Sequence, residues 1–404
     1  MSIIIESIKF NHNSNSLSND AMNIRKNKTA SVNIPEWVNG INVVPEDSLA
    51  AYAIKETQGN TITIQASFHA SAGEPTHVQI RAIDAVANPS KPMGCLGWLI
   101  YLLIGLIKAL FGNVLGEVKA QWVNFVNGDS GFVNFDLQNT KIGAAGVGIF
   151  TTEWQWQYRF KKGHPWKNMQ ITKHKIYIIL EAPKNTWNQV PGSDQLPWTE
   201  VLDYACSWAR WTKTRDEAAG KVTENVYALG PSLLEYDCPG GGSNHYATFS
   251  GTFNCTKFLE RLKGLTGNGK YINCTDCATI VSTFSNIVGC DLWQSRMQSG
   301  FKLNPLLAIG SNVWQTACGW SSFNYHEVAW KNNCDVNDEV FDACLQVDGD
   351  ADPQNAPHTP LMVTNLKFGD CNLLFYRMRL SPPVAGGCVN CNPAPGTKIR
   401  RTVF

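Results

Sequence analysis

The segment Asn273-Cys-Thr-Asp-Cys-Ala278, followed by an apolar run at residues 280–289, decides the fold of this chain. Its first residue is a favourable N-cap, and Asp276, three positions later, supplies the second half of a capping box. Apolar residues then recur at the spacing of one helix face, at Cys277, Ile280, Val281, Phe284, Ile287 and Val288. Gly289 is a typical helix stop. The sequence therefore predicts a buried helix whose first turn carries Cys274.

The position of Cys274 at this helix start suggests a chemical role. Backbone N–H groups in a first helical turn lack partners within the helix, and the positive end of the helix dipole lies there. Both features stabilise a thiolate, which is the nucleophilic form of cysteine. A thiol enzyme also needs a base, and the base needs a group that orients it.

Two downstream segments supply candidates for the base and the orienting group. Residues 322–330 are rich in aromatic and β-branched side chains, which predicts a strand with His326 in its middle. After a polar turn, residues 339–347 alternate between an apolar face and a face that carries Asp342. Two strands joined by a turn would place His326 and Asp342 side by side.

This combination resembles the transglutaminase-like superfamily of papain-type thiol enzymes. The helix pattern C-x-D-x-A is matched by Cys274-Thr-Asp-Cys-Ala278, the histidine strand by Tyr325-His-Glu-Val328, and the aspartate strand by Val340-Phe-Asp-Ala343. The resemblance covers residues 270–350 in detail. It implies an α+β, papain/transglutaminase-like catalytic domain in which Cys274 is the nucleophile, His326 the base and then the acid, and Asp342 the orienting group.

The same resemblance implies a thiol hydrolase or acyltransferase that acts on peptide or glutamine amide bonds of a protein or peptide substrate. Peptide hydrolysis is the first choice because water needs no dedicated second site, and deamidation and transamidation remain open. The side-chain donor of the oxyanion hole also remains open between the glycine-rich loop at residues 238–246 and a tryptophan.

Cys277 allows two alternative interpretations of this segment, as a different nucleophile or as part of a zinc site. It lies one helical turn after Cys274 and could be the nucleophile instead, although the C-x-D-x-A register fits Cys274. The pairs Cys274-x-x-Cys277 and Cys388-x-x-Cys391 also have the spacing of zinc half-sites. They are more than a hundred residues apart and the first lies on a predicted helix, so we predict neither a metal nor another cofactor.

Three segments are predicted along the chain. Residues 1–35 are interpreted as a mobile N-terminal segment. Residues 36–185 contain short alternating strands, which predict an antiparallel β-sandwich domain. Residues 195–404 are interpreted as the transglutaminase-like cysteine-enzyme domain, which an amphipathic helix at residues 198–211 would open.

An apolar insert at residues 94–112 interrupts the β pattern. Its uncharged part is shorter than the roughly 18 residues that a membrane-spanning helix needs. We interpret it as a hairpin or helix packed against the sandwich, because exposed apolar patches lower solubility. The alternative is a membrane- or partner-binding protein with a degenerate enzyme fold, in which residues 94–112 make the contact.

The amino-acid composition limits which binding partners and which cellular compartment are expected. The formal net charge is +1 over 404 residues, which is not the basic excess of a nucleic-acid-binding protein. The N-terminal residues lack the basic and apolar regions of a secretory signal. Thirteen scattered cysteines therefore predict free thiols in a reducing cytoplasm. Export by a non-Sec route, as a delivered effector or toxin, is the alternative.

Overall fold

The computed structural model describes residues 2–12, 16–73, 76–85, 113–140, 142–385 and 388–404. The protein is a mixed α+β molecule that is rich in sheet and contains few helices. It divides into two compact units. The first comprises Met1–Lys26, Ala30–Ala182 and Gln189–Gly192, and the second comprises Asn27–Thr29, Pro183–Asn188 and Ser193–Phe404.

The described part of the first unit consists of two sheets. Its strands are β1 (Ile3–Lys9), β2 (Trp37–Val38), β3 (Leu49–Ala53), β4 (Thr63–Ala70), β5 (His77–Asp84), β6 (Val118–Asn124), β7 (Asp129–Asp136), β8 (Gly148–Arg159) and β9 (Lys167–Ile179). A short helix, α1 (Ile54–Thr57), follows β3. One sheet has the order β2-β1-β4-β7, and the other has the order β3-β9-β8-β5-β6.

The two sheets share one apolar core, because alternate residues of each strand face inward. Trp156 of β8 contacts Phe68 of β4 and Phe135 of β7, with ring centroids 5.5 and 5.8 Å apart. One pairing differs from the predicted antiparallel sandwich. Strand β3 lies parallel to β9, because a long stretch of chain rather than a tight turn separates the two strands.

The N-terminal residues also differ from the prediction. Strand β1 lies between β2 and β4 in the four-stranded sheet. Ile3, Ile5 and Ile8 are buried in the shared core. The predicted mobility of residues 1–35 is therefore wrong for the residues of β1. The isoleucines of β1 bury apolar surface, and its backbone pairs with a neighbouring strand on each side.

The apolar insert at residues 94–112 lies outside the described residues. None of the helices within the described ranges combines the length and the apolar character needed to cross a membrane.

The second unit carries five helices among its described residues. They are α2 (Thr199–Trp208), α3 (Arg215–Tyr227), α4 (Cys255–Leu262), α5 (Cys274–Ile287) and α6 (Tyr376–Leu380). Helix α5 is the predicted cysteine helix. It has the expected capping box and is buried along its whole length. The chain leaves it through Gly289, whose φ of +98° suits a residue without a Cβ.

The main sheet of the second unit has the order β14-β16-β15-β13-β18, and β17 also pairs with β16. The strands of this unit are β10 (Glu235–Tyr236), β11 (Thr252–Phe253), β12 (Tyr271–Ile272), β13 (Trp293–Lys302), β14 (Leu307–Ala308), β15 (Ser322–Trp330), β16 (Glu339–Asp348), β17 (Pro360–Lys367), β18 (Asn392–Ile399) and β19 (Thr402–Val403). Helix α5 packs against β15 and β16, the strands that carry His326 and Asp342.

Candidate active site

The start of helix α5 is held by reciprocal hydrogen bonds. The Asn273 side chain accepts from the Asp276 N–H at 3.1 Å, and the Asp276 carboxylate accepts from the Asn273 N–H at 3.2 Å. Cys274 is therefore the first residue of a rigid helix. Only 4 % of Cys274 is exposed, and that part opens into a cavity.

The Asp276 carboxylate also binds the chain segment next to the glycine-rich loop. It accepts hydrogen bonds from the backbone N–H groups of His245, Tyr246 and Ala247 at 2.8, 2.9 and 2.7 Å. Burial raises the pKa of the Asp276 carboxyl, and these backbone donors act in the opposite direction. One side chain thus fixes both the cap of the helix and a loop beside the site.

His326 and Asp342 form a buried pair. Nε2 of His326 lies 2.9 Å from Oδ2 of Asp342, and the two side chains are 0 % and 1 % exposed. Burial alone would lower the pKa of His326, but the charge and hydrogen bond of Asp342, together with Cys274, raise it to about 10. The imidazole is therefore protonated at neutral pH.

The second ring nitrogen of His326 is left for the thiol. Nδ1 is buried and makes no well-aligned hydrogen bond with a described residue. Cys274 is nevertheless close enough for its side chain to contribute to the raised pKa of His326. The ring thus has Asp342 on Nε2, and Cys274 is the second side chain that influences its proton.

Three hydrogen-bond donors that sequence reasoning missed hold Asp342 in place. The Tyr376 hydroxyl donates to Oδ2 of Asp342 at 2.8 Å. The backbone N–H groups of Cys344 and Leu345 donate to Oδ1 at 2.7 and 3.2 Å. The backbone donors belong to β16 itself, whose pairing with β17 is irregular between Asp342 and Gln346. Tyr376 lies on α6, and no sequence motif predicted its contact with Asp342.

A cavity of about 370 Å³ lies in front of Cys274. The described residues that line it are uncharged in their ordinary ionisation states: Tyr236, Gly241, Gly242, Cys274, Trp320, Ser322, Phe323, Asn324 and Tyr325. Gly242 has a φ of +77°, and a Cβ on it would lie 3.2 Å from the Trp320 ring. Glycine is therefore needed where the loop approaches the opposite wall.

Tyr236 places a side-chain hydroxyl beside the start of α5. The parallel pairing of β10 with β12 places it beside Ile272, just before the cap of α5. Burial, and secondarily Cys274, raises the pKa of Tyr236, so its hydroxyl keeps its proton. Its hydroxyl has no hydrogen-bond partner among the described residues, and its side chain lines the cavity.

Cys277 occupies a different environment from Cys274. It is not among the residues that line the cavity, and its thiol contacts that of Cys344. Burial raises the pKa of Cys277. Its surroundings are those of a packed core thiol, since desolvation disfavours the nucleophilic thiolate.

Among the described cysteines, four are paired, where the sequence predicted free thiols. Cys238 is bonded to Cys318, and Cys371 is bonded to Cys388. The second bond leaves Cys388 unable to ligate a metal together with Cys391. The first bond joins the glycine-rich loop to the segment that carries Trp320, so it connects two walls of the cavity.

One group of possible metal ligands lies in the first unit. Glu6, His69 and Asp129 place one donor atom each within 4.8 Å of the others. His69 and Asp129 are already hydrogen-bonded to each other at 2.7 Å, and nothing else at this position indicates a bound ion.

Comparisons with known proteins give limited information. No family model matches the chain, and no curated protein matches it. Among solved structures, a transglutaminase from red sea bream matches with a TM-score of 0.38 and 11 % sequence identity, over 71 % of this chain and 48 % of that chain. The chain thus spans about half the length of that structure. A similarity of this size does not assign the chain to a family.

Proposed function

We propose that the second unit is a thiol enzyme that cleaves or transfers the acyl group of a carboxamide, with Cys274, His326 and Asp342 as its triad. The main support is the buried His326–Asp342 pair, whose remaining ring nitrogen is left for the cysteine at the mouth of a buried helix. A purely structural histidine would satisfy both nitrogens in the core.

The first half-reaction forms a thioester. The Cys274 thiolate attacks the carbonyl carbon, a C–S bond forms, and the carbonyl electron pair moves to oxygen. The backbone N–H at the start of α5 and the Tyr236 hydroxyl donate to that oxyanion. When the intermediate collapses, the C–N bond breaks, and the leaving amine or ammonia takes the proton from Nδ1 of His326.

The second half-reaction releases the acyl group. His326, now neutral, removes a proton from water as the water attacks the thioester carbonyl. The C–S bond breaks, and the carboxylic acid leaves with Cys274 restored as thiolate and His326 as imidazolium. Asp342 keeps Nε2 engaged through both steps, so that Nδ1 stays directed at the sulfur. A primary amine in place of water would give transamidation instead.

The cavity supports an uncharged carboxamide as the reacting group. Its described lining has aromatic walls and glycine backbone and offers no fixed charge to a charged side chain. Peptide hydrolysis is our first choice of reaction, with glutamine deamidation and transamidation as close alternatives that share every step up to the thioester.

A matched pair of cysteine variants tests this function. The wild-type protein, Cys274→Ala and Cys277→Ala are incubated with a peptide library, with and without a primary amine, and products are identified by mass spectrometry. We expect Cys274→Ala to lose turnover by about 10⁴-fold or more, because no other group can form the thioester. Cys277→Ala should retain it. Cleaved ends would identify peptide hydrolysis, glutamine converted to glutamate would identify deamidation, and an amine adduct would identify transamidation.

Labelling with iodoacetamide gives an independent measurement on the same proteins. The wild type should react fast at one cysteine below pH 7, and unfolding should abolish that rate difference. Turnover that survives in Cys274→Ala and is lost in Cys277→Ala would move the nucleophile to Cys277. Equal turnover in all three proteins would refute a thiol mechanism.

A further inference from the structure

We propose that Arg296 determines substrate specificity by binding a carboxylate on the acyl-donor substrate, close to the reactive amide. This inference rests on the proposed function, because it concerns the same cavity. The group involved consists of Arg296, Phe249 and Tyr325, and we call it the rim cluster.

The rim cluster is continuous with the cavity through Tyr325, which lines it. The Arg296 guanidinium carbon lies 4.4 Å from the Phe249 ring centroid and 5.0 Å from that of Tyr325. The two aromatic rings meet edge to face at 6.0 Å. Phe249 is 54 % exposed, which is unusual for so large an apolar side chain and leaves the cluster open to a ligand.

The charges around Arg296 do not balance. Its nearest acid is Glu327, whose Oε2 lies 3.4 Å from Nε of Arg296. The same carboxylate already binds the buried guanidinium of Arg401 at 2.6 Å, and it also accepts from the Thr275 hydroxyl at 3.0 Å. Among the described residues, two guanidinium groups thus share one carboxylate, and one positive charge at the rim is left uncompensated.

The geometry of Arg296 also suits a carboxylate. Among the described residues, its side chain makes a hydrogen bond through Nε alone, so both terminal nitrogens are free for a ligand. Contact with two rings fixes the guanidinium plane, which lowers the entropy lost on binding. A planar guanidinium with two free nitrogens can hold a carboxylate by two parallel hydrogen bonds.

The cavity and the rim cluster would thus bind different chemical groups of the substrate. The described cavity lining is uncharged and accepts the neutral amide, whereas the rim cluster supplies a cation for the adjoining part of the substrate. Thr275, the residue after Cys274, donates to Glu327 at 3.0 Å, and Glu327 in turn lies 3.4 Å from Arg296, so the rim cluster lies near the start of α5. The substrate class is therefore a peptide with Asp, Glu or a terminal carboxylate close to the reactive amide.

Glutamine-containing hexapeptides that carry Asp, Asn or Lys beside the glutamine test this assignment. We expect wild-type kcat/KM to favour the Asp peptide over the Asn peptide by about three- to tenfold, and the preference to shrink at high salt. Arg296→Leu should lower kcat/KM for the Asp peptide more than for the Asn peptide, so that the ratio between the two falls to about one. Arg296→Lys should keep part of the preference. Lys221→Leu, which removes an exposed charge on α3, should keep all of it.

The outcomes separate this inference from the proposed function. Turnover of the peptides by the wild type without a preference for Asp would refute the role of Arg296 and leave the proposed function standing. A full Asp preference in Arg296→Leu would refute it as well. Absence of any turnover by the wild type would overturn both. The wild-type arm does not depend on whether the Arg296 variants fold.

Discussion

At the scale of single residues, the proton on His326 controls the proposed chemistry. Burial disfavours that proton, and Asp342 restores it with its charge and its hydrogen bond, so that the pKa reaches about 10. The resting state of the site is then an imidazolium next to the sulfur of Cys274. Protonated His326 also favours the folded state. That contribution is complete below pH 6.5, and it is lost as the pH rises through 10.

Asp342→Asn should therefore shift the pH profile. In the wild type, kcat/KM should fall as the pH rises through about 10, when His326 loses the proton that the leaving group needs. The asparagine variant lacks the negative charge, so the pKa of His326 falls and the alkaline limb moves to lower pH. A pH series of kcat/KM for both proteins measures this shift.

Tyr376→Phe is the matched control for that prediction. It removes one hydrogen bond to Asp342 without removing the charge, so its alkaline limb should move much less. A limb at the same pH in the wild type and Asp342→Asn would show that His326 is not the acid that limits the reaction.

The sequence predicts some residues of the candidate site and not others, for a physical reason. Cys274, His326 and Asp342 lie inside continuous patterns of helix and strand, where spacing alone predicts their neighbours. Tyr236 and Tyr376 reach the site only through tertiary contacts, by a two-residue strand pairing and by a five-residue helix. Elements this short leave no periodic signal in a sequence.

At the scale of elements, helix α5 depends on its first turn. Asp276 accepts four backbone hydrogen bonds while fully buried, and it joins the cap to the segment that begins at His245. The capping box itself was predicted from Asn273 and Asp276, because N-cap chemistry is local in sequence. The link to residues 245–247 was not predicted, since no local rule identifies a partner about 30 residues away.

Asp276→Asn should destabilise the second unit and lower activity together. The amide would present an NH₂ group to backbone N–H donors, leaving buried donors unpaired at a cost of about 2–4 kcal/mol. Urea unfolding and the rate of Cys274 labelling measure the two effects. Glu217→Gln, in the exposed capping box of α3, is the matched control and should cause a smaller loss with no change in labelling. Equal losses in both variants would show that the loop contacts of Asp276 do not matter.

Several elements of the main sheet escaped prediction for a related reason. Strand β13 carries Gln294 and Ser295, which are polar and fully buried. The Gln294 side chain donates to Ser282 at 2.5 Å and accepts from Arg401 at 3.1 Å. Its burial is tolerated because its hydrogen bonds are satisfied. A strand of this kind lacks the apolar alternation by which sequence patterns are recognised.

At the scale of the whole molecule, the cavity has walls that come from distant parts of the chain. The disulfide links Cys238 and Cys318, which are 80 positions apart in the sequence, and so joins the loop of Gly242 to the segment of Trp320. Cys238 lies in a turn and Cys318 in a single turn of 3-10 helix, so neither wall is held by a long regular element at this point. The bond therefore contributes to the shape of the cavity as well as to stability.

Replacing both cysteines by serine should raise KM more than it lowers kcat. The loop of Gly242 and the segment of Trp320 would lose their covalent link, whereas His326 and Asp342 lie on strands that the bond does not reach. The free energy of unfolding should fall by about 2–4 kcal/mol. Kinetics on a peptide, together with the labelling rate of Cys274, separate the effects. A proportional loss of kcat at unchanged KM would show that the bond supports the triad instead.

This disulfide has a practical consequence for handling the protein. Cys238 is exposed, so added thiol reagents have access to the bond, while Cys274 is a free cysteine that air can oxidise. A purification buffer without reductant would keep the disulfide intact but allow Cys274 to be oxidised. A strongly reducing buffer would protect Cys274 but reduce the disulfide. Specific activity should therefore peak at an intermediate dose of reductant, and each batch should be assayed across a titration before it is judged inactive.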